Sequence, residues 1–278
     1  MVGPQRRPDF VVLPGCDRGS ARGHNRPTDP LATDAGAVMI ELPTESDPVR
    51  VVQGDCLSLL RQLPDGCVNA VITDPPYGIS YQSARRIDKT QWKLKIANDE
   101  FPFVWWLFDA ARALADGGGL LCFCRWDVQD AFRLAIGWAG LKVRAQLIWD
   151  RVGHGAGDPA VSPAPCHDVI WYATKGRRVF SGTRPTSIVR TPRISGAKLR
   201  HPNEKPEPLL RQLVQSYTAS GELILDPFAG SGTTGVAAAV EGRRCLLMEL
   251  DGGYVQIARD RVGDALFPSL FAGEAANA

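Results

Sequence analysis

The chain has 278 residues, 44% of them hydrophobic and 22% charged, and a formal net charge of +2. This fits a soluble globular protein with one large α/β domain or two small ones and a sizeable core. No membrane span is expected, because no apolar run approaches the roughly 20 residues needed, and no secretory signal is expected, because Arg6 and Arg7 are followed by no apolar block with a small-residue cleavage site. A cytoplasmic protein is expected. The seven cysteines (16, 56, 67, 122, 124, 166 and 245) are odd in number and show no C-x-x-C spacing. They read as reduced core thiols, with no metal site among them.

Residues 1–47 are rich in Pro, Gly, Arg and Asp without periodicity and read as a mobile tail, with Met39 an alternative start. Residues 48–268 form the expected domain, and 269–278 a second tail. The domain begins with a strand at 50–54 and a helix at 56–63. A strand at 69–73 then runs into Asp74-Pro75-Pro76-Tyr77. Next comes a basic stretch, 78–98, which carries Arg85, Arg86, Lys89 and Lys93 with Tyr81 and Trp92 interleaved. Helices are expected at 102–115 and 127–139, and strands at 119–124, 143–149 and 168–173. A second basic stretch, 175–205, carries Arg177, Arg178, Arg190, Arg193, Lys198 and Arg200. Both stretches are expected to meet a phosphate backbone.

The helix at 206–219 places Leu209, Leu210, Leu213, Val214 and Tyr217 on one face. A strand at 222–226 leads into Pro227-Phe228-Ala229-Gly230-Ser231-Gly232-Thr233. A helix at 233–241, a strand at 244–249 and a helix at 252–264 complete the pattern. Apolar runs that alternate with helices give a mostly parallel sheet covered on both faces.

Gly230-Ser231-Gly232-Thr233-Thr234-Gly235 satisfies G-x-G-x-x-G between a strand and a helix, so a nicotinamide-linked dehydrogenase is a rival reading. Three features oppose it. Asp226, at the end of the strand, would repel a pyrophosphate but attract a cation. Bulky Pro227 and Phe228 stand where a dinucleotide fold starts its glycines. Too little chain follows the turn to complete a sheet in the dinucleotide order.

The DPPY turn ends a strand, where open α/β sheets bind ligands. A nucleobase amine is a poor nucleophile because its lone pair is delocalised into the ring. The Asp74 carboxylate and the Pro75 carbonyl could accept its two hydrogens and draw that lone pair towards a methyl donor. Pro75 and Pro76 add no competing N–H, and Tyr77 could stack on a base removed from its duplex.

In this order the motifs resemble those of the S-adenosylmethionine-dependent DNA amino-methyltransferases in which DPPY precedes an FxGxG turn (the beta-group order). The resemblance covers about residues 49–265. It is carried by VVQGDCLSLLRQLPDGCVNAVITDPPYG, HPNEKPEPLLRQLV, LILDPFAGSGTTGVAA and LLMELD. It implies a Rossmann-like α/β fold: a seven-stranded, mostly parallel sheet in permuted motif order, with one reversed strand that 168–173 could supply. It also implies that Asp226, Phe228, Gly230 and Gly232, with Pro227, Ala229, Ser231 and Thr233 of the same turn, hold the methionine end of S-adenosylmethionine. Glu249 would take its ribose and Asp55 its adenine, while Lys205 and Pro206 start a helix beside it. Asp74 to Tyr77 would face the target base.

The substrate expected is adenine N6 in double-stranded DNA, since the cytosine-amine group more often carries Ser at the head of its turn. Transfer to cytosine N4 and a binding module without turnover stay as alternatives. The resemblance leaves room for a homodimer and for a cognate restriction endonuclease.

Overall fold

The computed structural model describes residues 40–78, 102–154, 160–180, 182–195, 199–200 and 203–267. Among the described residues, eight strands form one sheet in the order β1-β8-β7-β2-β3-β5-β4-β6. In chain order they are β1 (Val49–Gln53), β2 (Val68–Thr73), β3 (Leu114–Cys124), β4 (Lys142–Asp150), β5 (His167–Thr174), β6 (Ile188–Arg190), β7 (Leu223–Asp226) and β8 (Arg244–Glu249). Among the described strands only β5 is reversed, running antiparallel to both β3 and β4. This is the reversed strand expected from 168–173. The seven expected strands are all present, and the count is corrected to eight by β6. That strand has three residues and lies parallel to the end of β4, with Ile148 paired with Ile188 and Asp150 with Arg190. β3 also starts earlier than expected, at Leu114, across a register shift against β2.

Helices cover both faces. α4 (Glu207–Tyr217), α5 (Thr233–Val240) and α6 (Gly252–Leu266) pack on the face that includes Val51, Ile72, Phe123 and Leu247. α1 (Cys56–Arg61), α2 (Trp106–Ala113) and α3 (Gln129–Trp138) pack on the other, against Val71, Leu120, Cys122 and Leu246. Central strands buried on both sides explain the near-continuous Val, Ile and Leu runs. Each fully buried Leu or Ile contributes about 1.5–3 kcal/mol over its exposed state.

The sequence starts its helices where local chemistry allows. The carboxylate of Asp55 accepts from Ser58 N at the start of α1, and that of Asp251 from the amides of Gly253 and Tyr254 at the start of α6. α4 begins after Pro206, whose ring needs no hydrogen bond there, and buries the expected stripe of Leu209, Leu210, Leu213, Val214 and Tyr217. α5 is built of small residues and lies close on the sheet: a Cβ on Gly235 would stand 2.5 Å from Leu247 Cδ1. Among the described residues no helix is long and apolar enough to cross a membrane.

Candidate active site

β1, β8, β7 and β2 are neighbours and mutually parallel. Their carboxyl ends therefore bring four turns to one rim of the sheet: 54–55, 249–251, 226–232 and 74–77. This is the rim where open α/β sheets take ligands.

The turn after β7 is held from several sides. Gly232 has φ +79° and caps α5. A Cβ there would stand 2.7 Å from Ala258 Cβ and 2.9 Å from Ala258 Cα, so α6 leaves no room for one. Gly230 has φ +51° and donates its N–H to Glu249 Oε2 at 2.8 Å. The other Glu249 oxygen accepts from Asp251 N at 2.9 Å. Pro227, Ala229, Ser231 and Thr233 are buried. The Phe228 ring meets Phe103 and Trp106 edge-on, at 6.0 and 5.4 Å between centroids, which fixes it on the α2 side.

Asp226 is 3% exposed. It accepts from Thr73 Oγ1 at 2.7 Å, Thr234 Oγ1 at 2.6 Å and Phe228 N at 3.1 Å. Burial outweighs these donors and raises its pKa from 3.8 to about 6. Such a carboxyl binds more protons folded than unfolded. Its contribution to stability is therefore full below about pH 4 and is lost as the pH rises through 6, a fall of about 3 kcal/mol. Asp226→Asn is expected to remove that decline, which denaturant titrations of both proteins between pH 4 and 7 would show. An unchanged decline would assign it to other groups. Burial likewise raises the pKa of Glu249.

In the turn after β2 the Asp74 carboxylate accepts from the Tyr77 hydroxyl through one oxygen and from the Lys205 ammonium through the other. Lys205 Nζ also lies 5.1 Å from the centroid of the Phe123 ring. Tyr77 packs edge-on against Phe132 of α3 at 6.4 Å, and burial pushes its hydroxyl pKa well up, so it stays a donor. Pro75 is buried, and the Pro76 carbonyl accepts from Phe103 N at 3.4 Å. An ionised carboxylate has about four acceptor positions, so Asp74 can accept further hydrogens beside these two. Asp55 lies at the rim on the β1 turn, exposed, with one oxygen used by Ser58. Pro206 precedes α4, as the sequence implied.

The basic stretches divide. Arg85, Arg86, Lys89, Lys93 and Lys198 lie outside the described residues. The stretch 175–205 is not one surface. Because β5 is reversed, residues 175–180 emerge at the amino ends of the parallel strands, opposite the rim. Arg178 is a correction: its side chain is 8% exposed and donates to the carbonyls of Tyr217, Asn69 and Gly117 and, at 2.5 Å, to Glu222. It ties strand starts together and cannot also hold a phosphate. Arg177 is exposed beside it at the same end. Arg190, at the carboxyl end of β6, is 78% exposed and pairs with Asp150 at 3.0 Å. Arg193 and Arg200 are exposed in the segment that follows.

Four residues that build the site were not singled out by the sequence: Thr73 and Thr234, which hold Asp226, and Glu204 and Arg261, which hold the glycine turn. Arg261 Nη1 donates to Ser231 O at 2.7 Å, Ser231 Oγ at 2.9 Å and Thr233 Oγ1 at 3.1 Å, while Nη2 pairs with Glu204 at 3.2 Å. The only signal in the sequence was the adjacency of Glu204 to Lys205.

The N6/N4 family model, described as DNA methylase, matches residues 184–260. The "Putative methylase YubD" of Escherichia coli (strain K12) is 31% identical over 218 residues, covering 77% of this chain and 89% of that protein. Two solved structures share the fold. The M1.HpyAVI–SAM complex has a TM-score of 0.59 at 20% identity and covers 77% of this chain and 99% of that one. The PvuII DNA methyltransferase, described as cytosine-N4-specific, has a TM-score of 0.60 at 17% identity and covers 79% and 93%. The likeness to YubD extends over most of both proteins and the family match spans the glycine turn. The chain belongs to the N6/N4 DNA methylase family.

Proposed function

We propose that the protein transfers a methyl group from S-adenosylmethionine to the exocyclic N6 amine of adenine in double-stranded DNA. The observation that carries this reading is the joining of the two turns at one rim. Thr73, next to Asp74 in the chain, donates to Asp226 at the start of the glycine turn. A carboxylate able to accept from an amine thus lies next to a cradle for a small cationic cofactor.

The cradle fits such a cofactor. Asp226 and Glu249 are carboxyls whose hydrogen-bond donors among the described residues are hydroxyls and backbone amides, and burial raises both pKa values. A cation nearby would offset that desolvation cost. Bound there, S-adenosylmethionine supplies an electrophilic methyl on a sulfonium. Asp226 to Thr233 would hold its methionine end, Glu249 its ribose and Asp55 its adenine.

The chain's own residues do the rest. Asp74 and the Pro75 carbonyl accept the amine hydrogens and localise its lone pair. Asp74 takes up the proton released once the nitrogen is methylated. Tyr77 stacks on the base, which must leave the duplex to reach this rim. Orientation and charge placement dominate the rate, since no strong base is needed. Asp at the head of the turn favours adenine over cytosine.

Single-molecule sequencing of DNA from cells expressing the protein tests the substrate. N6-methyladenine at one short recurring sequence is expected, and recurring N4-methylcytosine would move the substrate to the other base. For DNA contact, Arg193→Ala is expected to weaken binding and reduce the slope of log affinity against log salt by about one. Arg178→Ala should lower the melting temperature and leave that slope unchanged. Salt-dependent fluorescence anisotropy of both variants checks the pair, and an altered slope for Arg178→Ala alone would reverse the assignment.

A further inference from the structure

Glu204 and Lys205 are adjacent, yet they contact different turns. Lys205 pairs with the Asp74 carboxylate and is 13% exposed, its ammonium close to the Phe123 ring. Glu204 is 3% exposed and accepts from Arg200 N at 2.8 Å and from Arg261 at 3.2 Å. Arg261 in turn donates three times into the glycine turn, at Ser231 and Thr233. A carboxylate this buried is stable only if paired and hydrogen-bonded. Its partners therefore fix the backbone at 204–205 with respect to residues 231–233.

That fixation matters for a lysine. Its four-carbon stem carries about 2 kcal/mol of rotamer entropy, and its ammonium has no preferred direction. The backbone and the ring beside it must therefore decide where the charge sits. A loose segment 203–205 would let the Lys205 ammonium wander and the Asp74 carboxylate rotate. A misplacement of about 1 Å at a reacting group can cost roughly 10²-fold in rate.

We propose that Glu204 and Arg261 are positioning residues for methyl transfer: they fix Lys205, and through it the Asp74 carboxylate, relative to the glycine turn. With the Thr73–Asp226–Thr234 bonds they brace the two turns at a second point. This rests on the proposed methyl transfer.

The test uses the full-length variants E204Q, E204M, K205M and the double variant E204M/K205M. The affinity for S-adenosylhomocysteine is read by calorimetry, kcat at saturating cofactor by labelled transfer to DNA, and folding by melting temperature. E204M is expected to lower kcat at least tenfold, and E204Q less. Both should keep cofactor affinity within about threefold of the wild type, because the Arg261 bonds to Ser231 and Thr233 remain. The double variant should lose no more than threefold beyond K205M, since both changes cut one chain of contacts. Should the losses multiply instead, or should cofactor affinity fall while kcat holds, the positioning role is overturned. E204Q, which keeps the shape, serves if E204M does not fold. A wild-type protein that labels no DNA would count against the proposed function rather than this role.

Discussion

Asp74→Ala is expected to lower kcat by roughly 10²- to 10⁴-fold, the range for loss of a proton acceptor or an oriented charge at a reacting centre. Cofactor affinity should stay within a few-fold, because the Asp74 contacts run to Tyr77 and Lys205 and not into the glycine turn. Asp74→Asn keeps one acceptor oxygen and the shape, so it should retain more activity than Ala but cannot take up a proton. The variant leaves the Lys205 ammonium, 13% exposed, without its carboxylate, so melting temperature must be measured beside the rate. Loss of cofactor binding together with activity would mean that Asp74 holds the fold rather than the amine.

Gly232→Ala is expected to have the largest effect on stability and to abolish cofactor binding. The left-handed φ of +79° costs a non-glycine residue about 1–2 kcal/mol. The new Cβ would also stand 2.7 Å from Ala258 Cβ and 2.9 Å from its Cα, an overpacking of about 1–3 kcal/mol. The backbone of α6 cannot shift freely, because Arg261 ties it to the same turn. The sum, about 2–5 kcal/mol, corresponds to a melting point lowered by roughly 4–20 °C in a domain of this size. Gly263→Ala on the same helix is the control. Nothing lies within 4 Å of its Cβ, so it should be neutral or stabilising by about 0.5–1 kcal/mol. Equal melting points for Gly232→Ala and the wild type would show that the turn adapts.

The elements were legible in the sequence because buried parallel strands and one-faced helices leave strong patterns. Leu209, Leu210, Leu213, Val214 and Tyr217 announced α4 without any structure, and all five are buried. β6 was not legible, since three residues pair with the end of β4 and carry no period of their own. The two turns were legible because special backbone conformations and successive prolines restrict residue type.

The bonds between those turns were not. Thr73 and Asp226 are separated by 153 positions, Lys205 and Asp74 by 131, and nothing local marks either pair. For the same reason the sequence could not separate the arginines of 175–205. Arg178 turns inward because the reversed β5 delivers it to the start of the sheet, where it meets the carbonyls of Asn69, Gly117 and Tyr217. Composition shows a basic stretch, but strand direction decides which end of the sheet each charge reaches.

We propose that the Asp74 turn and the glycine turn form one site for methylating a nucleobase amine. Incubating the purified protein with methyl-labelled S-adenosylmethionine and unmethylated genomic DNA, then identifying the labelled nucleoside by mass spectrometry, tests it most directly. Label is expected on an exocyclic amine, as N6-methyladenine. Label on a ring carbon such as cytosine C5, or none on DNA from a protein that binds the cofactor, would contradict it.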